Sequence, residues 1–113
     1  MSEILDELNA WQNGLKALKF SEIFKDGSEK VAFISVDMIN GFCSEGALAS
    51  KRVGELGSRI ADTFRLVREK FDLKNCVLIQ DSHSENASEF ESFPAHAIKG
   101  DTQAQAIDEL RNL

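Results

Sequence analysis

Proline occurs once in 113 residues, at Pro94, and cysteine only twice, at Cys43 and Cys76. A single proline excludes a Pro-rich linker, and no repeat or low-complexity tract is present. Two cysteines are too few for a disulfide framework and are expected to stay thiols in a reducing compartment. Basic runs are absent, and 13 Lys+Arg against 19 Asp+Glu give a formal charge of −6. Such a surface repels phosphates, which argues against nucleic acid and anionic membranes as partners. No apolar stretch is long enough to span a bilayer, and the Met-Ser-Glu-Ile start lacks the regions of a signal peptide, so the expected location is cytoplasmic. What remains is ordinary for one globular core: 42% hydrophobic and 28% charged residues.

The apolar residues are patterned. Ile4, Leu5, Leu8, Trp11, Leu15 and Leu18 form one face of an amphipathic helix over residues 3 to about 18, with Ser2 as its expected N-cap. Asp26-Gly27-Ser28 reads as a turn. Val31 to Val36 is a nearly continuous apolar run, the pattern of a parallel strand buried on both faces. Val53, Leu56, Ile60, Phe64, Val67 and Phe71 step by three and four, which predicts a helix ending near Asp72. Cys76 to Gln80 is a second short apolar run, so the order strand, helix, strand predicts a right-handed βαβ unit. A polar loop follows from Ser82 to about Gly100. Thr102 and Gln105 then resemble a capping box for a last helix carrying Ala106, Ile107 and Leu110.

Two buried-type strands cannot cover both faces and both edges of a sheet. The chain is therefore expected to be either a single domain over 1–113 whose edges another chain completes, by self-association or with a partner, or the N-terminal part of a larger α/β domain.

Ligands in open parallel sheets bind outside the carboxyl ends of the strands. Asp37 and Asp81 each follow a strand there, and adjacent strands about 4.8 Å apart would let both carboxylates face one crevice. Asx-turn formation is the plain alternative. Asp81 and His83 are two apart, so in extended backbone both point the same way. His96, the other histidine, lies in the same loop. Two imidazoles and a carboxylate suit a divalent ion such as Zn, Fe(II) or Mn, against the alternative of two surface histidines. Phe42 and Phe93 lie in the two loops at this end, either covering the core or lining a pocket for a flat ligand. Cys43 has no neighbour able to lower its pKa, and Cys76 sits at the wrong end of its strand; both read as structural, Cys76 as a small core residue.

Val36-Asp37-Met38-Ile39-Asn40-Gly41-Phe42-Cys43 with Gly46-Ala47-Leu48 resembles the first signature of the isochorismatase-like cysteine hydrolases. Asp81-Ser82-His83, Phe93-Pro94-Ala95-His96 and Gly100-Asp101 resemble the metal-binding segment of the nicotinamidase branch. The resemblance implies a three-layer α/β/α, Rossmann-like fold with a parallel sheet. It implies Asp37 as catalytic acid/base, Asp81, His83 and His96 as ligands of a divalent metal, foremost Zn, and Phe42 and Phe93 as the aromatics that sandwich the substrate ring. In nicotinamidases the metal holds the ring nitrogen of nicotinamide while a cysteine thiolate attacks the amide, ammonia leaves, and water releases nicotinate. The family's nucleophilic cysteine and catalytic lysine lie further along than residue 113, and neither Cys43 nor Cys76 matches. The expectation is a metal-dependent amidase whose present stretch is inactive alone. Its alternatives are a non-catalytic metal- or ligand-binding module and a fragment of another isochorismatase-like hydrolase.

Overall fold

A computed structural model describes residues 1–113. Helix α1, Ser2–Gly14, forms where the apolar spacing places it, but it buries no residue at all. Ser2 is its first helical residue and Met1 precedes it, which corrects the expected cap; Leu15 is already extended, so Leu15 and Leu18 lie beyond the helix. A single turn, α2 (Phe20–Ile23), leads through Gly27, which takes φ +107° as only glycine does without strain, to strand β1, Ala32–Val36. After β1 come two short turns, α3 (Asn40–Cys43) and α4 (Lys51–Gly54). The long helix α5, Leu56–Phe71, follows, then strand β2, Asn75–Ile79.

The helix expected as one piece from Val53 is thus interrupted at Glu55. At this junction α4 lies tightly against α3, where a Cβ at Gly54 would meet the Cys43 carbonyl oxygen at 2.7 Å. Helix α5 stops where expected, because Asp72 adopts the left-handed conformation (φ +54°) that ends helices.

β1 and β2 pair in parallel, with Ile34 opposite Val77 and Val36 opposite Ile79. With α5 as the crossover this is the anticipated α/β unit. One sheet face packs on α5, where Phe33 meets Phe64 edge-on with centroids 5.4 Å apart. Phe64, Val67 and Leu73 form one buried cluster; Met38, Cys43, Ala61, Ile107 and Leu110 form a second at the carboxyl end of the strands. The other sheet face is bare: Ile34, Val36, Val77 and Ile79 are all about half exposed. Burial on both faces, expected from the apolar runs, therefore does not hold within this chain. Cys76 is also corrected, from core to exposed, because β2 has no neighbouring strand on its far side.

The expected last helix is mostly other structure. Thr102–Ala104 is a 3-10 turn whose start is capped by Asp101, whose side chain accepts from the Thr102 amide; only one helical turn, α6 (Asp108–Arg111), follows. Ala106 instead pairs with Ile39 in an antiparallel bridge, and the Ile107 amide donates to the Met38 carbonyl. That pairing ties the end of the chain to the loop after β1, beside the site. No helix is long and apolar enough to cross a membrane.

Candidate metal centre

Both strands deliver an aspartate to the same end of the sheet. The Asp37 amide donates to the Ile79 carbonyl at 2.8 Å, continuing the ladder by one step, and the chain then turns sharply with Asp37 at φ +57°. Aspartate tolerates this left-handed conformation better than most residues. The Asp37 side chain is half-buried and makes neither a hydrogen bond nor an ion pair, so its carboxylate is left free.

Beyond β2, His83 forms a parallel bridge with Ile98, and the Asp81 and His83 side chains do point together. Asp81 Oδ2 lies 2.8 Å from His83 Nε2. His96 returns to them because the loop is pinned at its base: the His83 amide donates to the Ala97 carbonyl (2.9 Å), and the Lys99 amide donates to the His83 carbonyl (2.8 Å). Ala97 makes the necessary bend at φ +44° while fully buried. His96 is itself only 3% exposed. Its Nδ1 is 2.7 Å from the Pro94 carbonyl, which can only accept, so Nδ1 carries the proton and Nε2 is left facing Asp81 Oδ2 at 3.4 Å.

One ligand atom from each of Asp81, His83 and His96 thus lies within 4.8 Å of the others. The donor set fits a divalent ion on chemical grounds. Two imidazoles and a carboxylate converge, and a backbone carbonyl fixes the tautomer of one imidazole, as is usual behind metal-bound histidines. This group could hold a metal ion. The structure thus brings together the three residues that the sequence singled out.

Rings wall the site. Phe42, half-buried, sits 5.7 Å from the His96 ring. Phe93 stands 54% exposed; the ring packed against both histidines is Phe90, at 5.5 Å from each. Sequence reasoning missed Phe90, and it also missed Glu89, whose carboxylate reaches within 3.5 Å of His83 Nε2 and 3.6 Å of His96 Nε2. Both lie on a 3-10 turn, Ser88–Glu91, that folds back over the histidines. No spacing signal marks them in a loop that also carries Glu85 and Glu91.

Cys43 is buried in the second core cluster, and burial, followed by the nearby Glu109 carboxylate, pushes its thiol pKa up. A raised pKa keeps it a thiol at neutral pH, so the structural reading stands.

Two solved structures resemble this fold over 70% of the chain. One is an isochorismatase-like hydrolase from Alkaliphilus metalliredigens, at 33% identity and TM-score 0.60. The other is N-carbamoylsarcosine amidase from Thermoplasma acidophilum, at 29% identity and TM-score 0.59. This is an isochorismatase-like fold. The two neighbours support that superfamily for the chain, which spans 44% of the length of each. No protein-family model and no curated protein gives a significant match. In the isochorismatase-like frame, the open sheet face and the single helical layer are the features of an incomplete three-layer α/β sheet.

Proposed function

We propose that this segment supplies the metal-holding part and the acid/base of an active site in a metal-dependent amidase of the isochorismatase-like superfamily. Nicotinamide is the substrate we favour. The observation that carries the reading is the convergence of Asp81, His83 and His96 beside the Phe42 and Phe90 rings, at the carboxyl end of a parallel sheet. A divalent ion there, with zinc foremost and iron or manganese as alternatives, supplies Lewis acidity and an anchor for a substrate heteroatom.

The chain's own residues do the rest. Phe42 and Phe90, beside the histidine rings, offer apolar faces for a flat ring, with Phe93 exposed at the outer end of the same loop. Asp37, with an unpartnered carboxylate, takes and returns the proton when the amide C–N bond is replaced by C–O and ammonia leaves. The attacking group is neither Cys43, which is buried as a thiol, nor Cys76, at the opposite end of β2.

The test is ammonia release from nicotinamide and from N-carbamoylsarcosine, by a polypeptide in which this segment continues to the length of its two structural relatives. Metal-dependent turnover of nicotinamide, lost on chelation and restored by Zn2+, is the expected result. Turnover that chelation leaves unchanged contradicts the metal-dependent reading. Turnover of N-carbamoylsarcosine alone overturns the nicotinamide assignment.

A further inference from the structure

We propose that helix α1 is a homodimerisation element, pairing antiparallel with α1 of a second copy of this chain. The inference is independent of the metal and amidase reading. It starts from what α1 lacks. The helix has 13 residues, none of them buried, and no side chain caps its start. A helix of that length is marginal in water by itself, and helical stability in proteins comes mostly from an apolar face packed on something. Nothing lies on this one. Ile4, Leu5, Leu8 and Trp11 are 52–66% exposed, and helical periodicity puts Ile4, Leu8 and Trp11 on one stripe. Leu15 and Leu18, in the non-helical stretch that follows, continue the exposed apolar surface. The Cα radius of gyration is 17.4 Å, where a compact chain of this length has about 13 Å. The helix therefore stands off the body, open to another molecule.

Charge selects a second copy as the occupant. Within Ser2–Gly14 there are three acids, Glu3, Asp6 and Glu7, all in the first half, and no lysine or arginine. Lys16 and Lys19 come just past the other end. All five side chains are exposed, and none forms an ion pair. The segment is thus self-complementary. In an antiparallel pair the acidic end of each copy meets the lysine end of the other, whereas a parallel pair stacks acid on acid. Antiparallel helix dipoles favour the same arrangement. An anionic membrane is the wrong cover, because helices that lie on one carry bases on the polar face, not acids.

Area and symmetry agree. The chain exposes 8310 Å², about 2,100 Å² more than a compact 12.6 kDa protein. A standard interface takes about 800 Å² from each partner, so the surplus leaves room for one beside the bare sheet face. Trp11 is midway in sequence between Ile4 and Leu18, so a two-fold axis near it places the same patch on both partners.

Trp11 is also the only tryptophan, so its emission reports the contact without a label. The experiment is sedimentation equilibrium and Trp11 emission of the 113-residue chain over a concentration series, in the wild type and three charge variants. Glu3→Lys, Asp6→Lys and Glu7→Lys together make the segment basic throughout. Lys16→Glu with Lys19→Glu makes it acidic throughout, and all five changes together exchange its two ends. None of these side chains is buried, so the body folds without them. Expected is a wild-type dimer whose Trp11 emission shifts to the blue as it forms. Each one-sided variant should associate about tenfold more weakly or worse. The five-change variant should recover, and the two one-sided variants mixed together should form a heterodimer. A wild type that stays monomeric overturns the inference, as does association that no variant alters, which would place the contact on the bare sheet face. Loss in the one-sided variants with no recovery in the five-change variant or the mixture also overturns it. Helix α1 would then lie on another surface, such as the apolar groove of Phe24, Val31 and Val67.

Discussion

Ala97 and Ala61 are both fully buried, yet replacing each by glycine should have opposite consequences. Ala61 lies inside helix α5, where glycine costs about 1 kcal/mol in backbone entropy. Losing its buried methyl costs about 0.8 kcal/mol more, so Ala61→Gly should destabilise by about 2 kcal/mol. Ala97 loses a methyl too, but it sits at φ +44°, between His96 and the bridge to His83. Left-handed backbone costs an alanine roughly 1–2 kcal/mol that glycine does not incur. That relief offsets the methyl and the entropy, so Ala97→Gly should change stability by less than about 0.5 kcal/mol. Urea unfolding followed by circular dichroism, with equal slopes for the two variants, measures the difference directly. Equal losses would refute the reasoning, because they would mean that Ala97 is not held in a strained bend behind His96.

Three further outcomes are expected. In a Cys76→Ser background, Cys43 should react with iodoacetamide along a pH profile displaced above that of an ordinary thiol. Burial and Glu109 disfavour its thiolate, so a midpoint at or below the free-cysteine value contradicts this. We propose that the chain self-associates when produced alone. Its accessible surface is 8310 Å² where a compact 12.6 kDa protein exposes about 6,200 Å², an excess on the order of a stable interface. Sedimentation should depend on concentration and Trp11→Glu should weaken association, whereas a monomer at all concentrations refutes it. Finally, in the amidase assay Asp37→Asn should lower turnover about 10²-fold or more. Asparagine tolerates the same φ, so near-normal turnover would leave Asp37 as a turn residue only.

The sheet, its crossover and the Asp81–His83 pair were legible because each rests on a short-range period, and His96 because it is the other histidine of the same loop. Two apolar runs and one helical stripe define β1, α5 and β2, and an i, i+2 spacing in extended chain aims Asp81 and His83 together. The same periodicity suggested a longer final helix and a longer α1. It contains nothing about the Ile39–Ala106 pairing that draws the end of the chain into a bridge, nor about Gly14, past which the backbone is extended. Glu89 and Phe90 were invisible for a related reason. Their role depends on a 3-10 turn folding a polar loop back over the histidines, and one acid among several in such a loop has no pattern to mark it. The apolar runs correctly announced strands but not their exposure, because burial of a sheet face depends on what lies against it.

Whether Asp81, His83 and His96 hold an ion is decided by zinc titration of the metal-free chain, with His83→Ala and His96→Ala in parallel. One Zn2+ per chain is expected in the wild type, with loss of that site in both variants, because each removes one of three converging donors. Unchanged stoichiometry and affinity in both variants would contradict it.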